Sequence, residues 1–153
     1  MLFKEASLRI LENATDELSP FTKRSYFYCL QKVFHYAPNL HCEQINPQFV
    51  KEYRAHLIEL ENKPATVAKA LSVLRNFSHR LMEEGAIKEN PFSGIKIRRV
   101  SSHRQFLNIS DLRKLFNRFI EHENILRIPE RNALRAFLFS CFTGLRYSDL
   151  KSL

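Results

Sequence analysis

The sequence predicts an all-α fold for this chain of 153 residues. Apolar residues recur at three- and four-residue spacing along most of the chain, and no segment alternates as a half-buried strand does. Hydrophobic residues make up 44% of the sequence and there are only 3 glycines, which is typical of a helix-rich globular protein. We predict a bundle of four helices (residues 1–93), a basic linker (residues 94–106) and a further helical segment (residues 107–153).

The first two predicted helices follow from apolar stripes and cap residues. Ser19 before Pro20, or else Thr22, caps the second helix, and Pro38 ends it. The first helix has its apolar stripe at Phe3, Ala6, Ile10, Leu11 and Ala14. The inward residues of the second helix are Tyr26, Leu30, Val33, Phe34 and Ala37.

The third and fourth predicted helices each begin with a proline. Asn46 caps the third helix, with Pro47 in its first turn, and Pro64 opens the fourth helix, which Gly85 closes. The inner face of the third helix consists of Val50, Tyr53, Leu57 and Leu60. The inner face of the fourth consists of Val67, Ala70, Leu71, Leu74, Phe77, Ser78 and Leu81.

The opposite side of the fourth helix is a candidate DNA-binding face. It carries Lys69, Ser72, Asn76, His79 and Arg80. Cations hold phosphates and amides read base edges, so this mixture suits a helix that lies against DNA. The alternative is an ordinary solvated face, which amphipathicity alone predicts. The second helix has a similar stripe at Arg24, Tyr28, Gln31 and His35.

The positive charge of the chain is uneven. Residues 1–92 hold 12 Lys and Arg against 11 Asp and Glu, whereas residues 93–153 hold 12 against 5, within a total net charge of +8. This excess favours a polyanionic partner. Segment 94–106 has no acidic residue and suits a strap laid across a phosphate backbone, although a plain basic linker is the alternative. Its cations are Lys96, Arg98, Arg99 and Arg104.

The last part of the chain predicts three more helices. Ser110 and Asp111 cap the first of them, with Arg113, Lys114 and Arg118 outward and Leu112, Leu115, Phe116 and Phe119 inward. A long apolar helix begins at Pro129, and we expect it to be buried and to end in a left-handed cap at Gly144. A short helix with Ser148 and Asp149 near its start then follows Arg146, whose guanidinium offers a planar fork of donors to a phosphate.

Cysteine and histidine usage gives no sign of a metal or a cofactor. Cys29, Cys42 and Cys141 cannot pair evenly, so we expect free thiols in a reducing cytosol, with Cys29 and Cys141 buried. The spacing of nearby histidines matches no usual zinc pattern. No apolar run reaches the length of a membrane span and the start lacks a signal-peptide core, so we expect a cytoplasmic protein without a membrane partner.

Three motifs resemble those of the tyrosine recombinases, the phage-integrase family. Residues 143–153 (TGLRYSDLKSL) resemble the first arginine box of that family. Residues 90–92 (NPF) look like the close of its core-binding, SAM-like domain. Residues 104–107 (RQFL), followed by 110–112 (SDL), look like the entry to its catalytic domain. The motifs stand in the family's order over essentially the whole chain, and integrases of mobile elements are the most similar type.

The resemblance implies a function in DNA integration and recombination. It makes residues 1–93 the four-helix core-binding domain and residues 107–153 the start of the catalytic domain. The partner is double-stranded DNA, on which the complete bacterial protein would form a tetramer at the nucleoid. In this family a tyrosine forms a 3′-phosphotyrosyl link without metal or cofactor. Arg146 would be the first arginine that neutralises the scissile phosphate, with Asp149 as the acidic position after it.

The remaining catalytic residues of that family are missing from this sequence. It contains no His-x-x-Arg, and Tyr147 beside Arg146 is expected to be a packing residue instead of the nucleophile. We therefore expect a truncated recombinase that does not cut DNA by itself. Its exposed apolar residues should cause self-association, swapping between chains or poor order. These residues are Phe137, Leu138, Phe139 and Phe142.

Two other classes of protein remain open from the sequence. One is a non-catalytic helical DNA-binding or accessory protein, although no convincing helix-turn-helix unit is found. The other is a helical protein-interaction module, in which Arg146 would pair with Asp149. Salt-sensitive DNA binding separates the interaction module from both DNA-binding classes.

Overall fold

The computed structural model describes residues 1–14, 18–98, 105–122 and 125–152, and over these ranges the protein is all-α as predicted. The helices are α1 (Phe3–Asn13), α2 (Pro20–Tyr36), α3 (Pro47–Glu59), α4 (Pro64–Glu83), α5 (Ile109–His122), α6 (Ile128–Thr143) and α7 (Tyr147–Lys151). A short 3-10 helix, Cys42–Gln44, lies between α2 and α3. The chain divides into two compact units, Met1–Ser101 and Ser102–Leu153.

Side-chain caps fix the starts of two helices in the first unit. The Ser19 hydroxyl accepts a hydrogen bond from the backbone N–H of Thr22 at 3.2 Å, at the start of α2. The Asn46 side chain accepts from the backbone N–H of Phe49 at 2.9 Å, at the start of α3. A proline occupies the first turn of both helices, where its missing N–H costs no hydrogen bond. Of the two caps proposed for α2, the structure therefore selects Ser19.

The first unit is organised around α4, which packs against α1, α2 and α3. Every residue predicted for the inner face of α4 is buried, and Val73 is buried with them. The core continues into the segment after α4, where Ile87 and Phe92 are buried as well. The largest fully buried side chains of this core are Tyr53, Phe3, Phe77, Leu30, Leu57, Leu74 and Leu81.

The prediction that Leu60 belongs to the inner face of α3 is wrong, since its side chain is 60% exposed. The helix ends at Glu59, and Leu60 is its C-cap residue. The next residue, Glu61, has a left-handed φ of 53°. The chain therefore turns away before position 60 can continue the helical stripe.

The first helix of the second unit, α5, begins at Ile109 and therefore earlier than predicted. Asn108, and not Ser110 or Asp111, caps α5: its side-chain oxygen accepts from the backbone N–H of Asp111 at 2.9 Å and from the Ser110 hydroxyl at 2.7 Å. The inward residues Leu112, Leu115 and Phe119 are half-buried, whereas Phe116 is 40% exposed.

The expectation that the long apolar helix is buried as a whole is wrong, whereas the expected exposure is confirmed for three of its four named apolar residues. Leu138 is the buried residue of α6, whereas Phe137, Phe139 and Phe142 are 44%, 46% and 65% exposed. Within its unit α6 packs against α5 and α7, and this packing leaves all three of its phenylalanines exposed. Leu138 therefore does not belong to the exposed apolar set in which the sequence placed it.

Two further predictions of buried residues on the second unit are also wrong, since few helices pack around these residues. Cys141 is exposed, whereas Cys29 and Cys42 are buried, and burial raises the pKa of both buried thiols. Tyr147, expected to pack, is 78% exposed. Residues on the second unit are thus less covered than their apolar sequence context predicts.

The central position of α4 predicts an unequal cost for two leucine substitutions. Leu74→Ala should lower the free energy of unfolding by about 2–5 kcal/mol, because Leu74 is fully buried and its removal leaves a cavity. Leu60→Ala is the matched control, and it should change stability by about 0.5 kcal/mol or less. Urea unfolding followed by circular dichroism measures both values. Equal losses for the two variants would contradict the assigned core.

Candidate nucleic-acid interface

Positive charge in the first unit is concentrated on two helices, α2 and α4. No acidic residue occurs in α2, which carries Lys23, Arg24 and Lys32. The first acidic residue of α4 is Glu83 in its last turn, after the cations Lys69, Arg75 and Arg80. In contrast, α1 and α3 each contain equal numbers of cations and carboxylates. Residues 1–92, which hold 12 Lys and Arg against 11 Asp and Glu, therefore have one strongly cationic helix pair.

The helices α2 and α4 are antiparallel neighbours. The ring of Tyr26, early in α2, meets the ring of Phe77, late in α4, edge to face with centroids 6.0 Å apart. Later in α2, Lys32 Nζ donates to the side-chain oxygen of Asn62, just before α4, at 2.9 Å. The two polar stripes that the sequence predicts therefore lie on neighbouring helices.

A cationic depression of about 430 Å³ lies between the two helices. Tyr28, Lys32 and Lys69 supply its large polar side chains, and no carboxylate lines it. Burial raises the pKa of the Cys29 thiol at this depression, and the charges of Lys69 and Lys32 oppose that shift. The remaining lining residues are small: Ser25, Ala65, Thr66 and Ala70.

A second cationic groove, of about 370 Å³, lies on the other side of α4. Its cations are Arg54 of α3 together with Lys96 and Arg98 of the predicted strap, and again no carboxylate lines it. The groove has an apolar floor at Ile58, Val67, Leu71 and Ile97. The N-terminal half of α4 is thus flanked by cations on both sides.

The described part of the strap is packed, not detached. Ile95 and Ile97 are half-buried and pack against the core of the first unit, whereas Lys96 and Arg98 between and after them are exposed. An extended segment alternates its side chains in this way, so the apolar residues anchor it and the cations face solvent. The other two predicted strap residues, Arg99 and Arg104, lie outside the described residues.

The five predicted contact residues of α4 do not all have the same surroundings. Lys69, Ser72, Asn76 and His79 are exposed along one side of the helix. Arg80 is half-buried and lines a depression with Glu83 and Glu84. Glu84 in turn forms an ion pair with Arg9 of α1. The last turn of α4 therefore mixes charges of both signs, unlike the turns before it.

Sequence reasoning missed Lys32 and Arg75. Arg75 is exposed, three residues after Ser72 and four before His79, so helical spacing alone could have added it to the stripe. Lys32 follows Tyr28 by four residues and could have been found in the same way. The stronger signal was also in the sequence, since the whole of α2 lacks a carboxylate.

The Arg146 turn has the predicted backbone geometry. Gly144 caps α6 in the left-handed region at φ 71°, and its N–H donates to the Ser140 carbonyl at 2.8 Å. Arg146 is the N-cap residue of α7, and its carbonyl accepts from the backbone N–H of Asp149 at 3.0 Å. The Asp149 carboxylate accepts from the Ser148 hydroxyl at 3.2 Å. Among the described residues Arg146 and Asp149 form no ion pair, and the arginine side chain is exposed.

Two further kinds of site were sought within the described ranges. No three or more His, Cys, Asp or Glu side chains come together there in an arrangement that could hold a metal ion. Nor does that part of the chain contain a helix with the length and apolar character needed to cross a membrane.

Comparison with known proteins identifies the family. Residues 2–100 match the phage integrase SAM-like domain. Tyrosine recombinase XerC of Thermodesulfovibrio yellowstonii is 30% identical over 135 residues, which cover 86% of this chain and 42% of the relative. The chain thus spans about two fifths of the length of that curated relative, and no solved structure matches it. The chain belongs to the tyrosine recombinase family, and its first helical unit is the SAM-like domain of the phage integrases.

Proposed function

We propose that this chain is a DNA-binding part of a site-specific tyrosine recombinase. One observation carries the proposal: α2 and the first four turns of α4 bear cations without a single carboxylate. A DNA duplex carries one negative charge for about every 1.7 Å of its axis, so a surface of one sign gains most from contact with it. Family membership supports the same conclusion.

The exposed side of α4 is the element that we place against the duplex. Lys69 to His79 spans ten residues and therefore about 15 Å of helix, which is long enough for its exposed side to reach along the major groove. Ser72 and Asn76 lie in the middle of that stretch, where base edges would be within reach. Lys32 and Lys69 on one side, with Lys96 and Arg98 on the other, are placed to contact the two phosphate backbones. The proposed DNA-contacting residues also include Arg80, Arg99 and Arg104.

The strap cations generate a prediction about salt dependence. The double variant Lys96→Gln and Arg98→Gln should make the slope of log K against log salt less steep by about 1.8, because each lost phosphate contact removes about 0.9. Fluorescence anisotropy with a labelled duplex over a salt series measures the slope.

The matched control for the strap variant neutralises two exposed lysines outside the proposed surface, Lys4→Gln and Lys51→Gln. These changes should leave the slope almost unchanged, since α1 and α3 are charge-balanced. An identical slope for the strap variant and the wild type would remove the strap from the interface. No salt-dependent binding by any variant would favour the protein-interaction module instead.

For the complete protein we propose strand cleavage and rejoining through a phosphotyrosyl intermediate. Arg146 would bind the scissile phosphate, because a fixed cation stabilises the negative charge that the transition state gathers. Its support is geometric: the Gly144 cap and the start of α7 hold its backbone, and its side chain is exposed. The nucleophile and the second arginine would come from outside these 153 residues, so we propose that this chain binds DNA without cutting it.

We place the protein in the cytoplasm, associated with the nucleoid when it is bound to DNA, and we propose a tetramer for the complete recombinase. The second unit exposes three apolar rings of α6, with Phe139 and Phe142 on one side of the helix and Phe137 on the other. Phe142 also meets Phe116 edge to face at 6.0 Å. We propose that these exposed rings cause the chain to self-associate, since apolar surface that no neighbour covers favours association.

Self-association through the exposed rings of α6 is tested by substituting the two that are not paired with the ring of Phe116. Phe137→Ser and Phe139→Ser together should shift the chain towards the monomer in sedimentation velocity over a concentration series. Ile58→Ser, which removes a similarly exposed apolar residue from the first unit, serves as the control and should leave association unchanged. A wild-type chain that stays monomeric at all concentrations would contradict the proposal.

A further inference from the structure

Two exposed aromatic rings stand on the cationic helix α2. Phe21 is 81% exposed and Tyr28 is 58% exposed. They are seven residues apart, which is two helical turns, so both lie on one side of α2 and are about 10.5 Å apart along its axis. Arg24 is exposed between them, and Lys32 follows one turn after Tyr28. The cationic face of α2 is therefore also an aromatic one.

The backbone that carries both rings is held by the fold. Phe21 lies in the first turn of α2, which the Ser19 hydroxyl caps. The ring of Tyr28 lies beside that of Phe27 with centroids 6.4 Å apart, and Phe27 packs against the core. Tyr28 also lines the cationic depression with Lys32 and Lys69 of the proposed DNA-binding surface. A ligand of that surface would therefore meet exposed apolar groups as well as charges.

We propose that Phe21 and Tyr28 contact the C5-methyl groups of thymines in the major groove. This inference rests on the proposed DNA-binding function and adds a sequence preference to it. The thymine methyl is the apolar group that base edges present in the major groove, and apolar side chains are its partners there. The absence of carboxylates along α2 lets the same face approach the phosphates.

The spacing of the rings sets the spacing of the methyl groups. With α2 parallel to the duplex axis, a separation of about 10.5 Å matches about three base-pair steps of 3.4 Å each. Phe21 and Tyr28 would thus contact thymines about three steps apart, with Arg24 at the phosphates between them. The rings stand on the convex surface of a helix beside a second helix. That shape suits a duplex groove better than the tracking of a single strand.

The test compares two duplexes that differ in the methyl group alone. One has alternating adenine and thymine, and the other has uracil in place of every thymine. The full chain should bind the uracil duplex more weakly by about fourfold if one methyl is buried and about fifteenfold if two are. The double variant Phe21→Ser and Tyr28→Ser should bind both duplexes equally, whereas Tyr28→Phe, which keeps the ring, should retain the preference.

Controls separate this inference from the proposed function. Leu60→Ser, exposed at the end of α3 and outside both cationic depressions, should keep the wild-type preference, and circular dichroism melting checks that the double variant is folded. Equal, salt-dependent binding of both duplexes by the wild type would overturn the inference and leave the proposed function intact. Absence of salt-dependent binding to either duplex would overturn both. Stronger binding to single-stranded oligothymidylate than to the duplexes would replace methyl contact with base stacking.

Discussion

Burial of one side of α4 against α1, α2 and α3 is the constraint on which the rest of the first unit depends. Leu74, Phe77 and Leu81 lie in the centre of that contact, and their burial fixes the rotation of the helix about its axis. Because side chains follow one another at 100° in an α-helix, this rotation also decides which residues face solvent. Lys69, Asn76 and His79 are exposed for that reason. The core thus positions the candidate interface.

The division of charge among the helices follows from the same packing. Each helix of the first unit contributes a buried stripe, but the solvent sides differ: α1 and α3 balance their charges, whereas α2 and nearly all of α4 carry cations alone. Packing these two helices side by side combines their fields, and the packed strap adds Lys96 and Arg98 beyond α4. Specific contact and charge attraction can therefore act on the same face.

The sequence predicted the helices of the first unit well because apolar spacing and helix caps involve residues that are close together in the chain. Apolar spacing located the inner face of α4, and Ser19 and Asn46 marked two helix starts by hydrogen bonds within one turn. Exposure on the second unit was less predictable, since the burial of Phe139 or Cys141 depends on how many helices pack around α6. The surroundings of Arg80 were likewise hard to predict, because Glu83 and Glu84, which line the same depression, do not belong to the polar stripe of α4.

The most direct test of the central claim is amide chemical-shift mapping of the chain, by NMR, with a short DNA duplex at low salt. Contact through the cationic helix pair predicts the largest shifts in α2 between Phe21 and Lys32 and in α4 between Lys69 and His79. It also predicts shifts at Lys96 and Arg98, with small changes across α1. Shifts confined to α1, α3 or the second unit, with α2 and α4 unchanged, would contradict it.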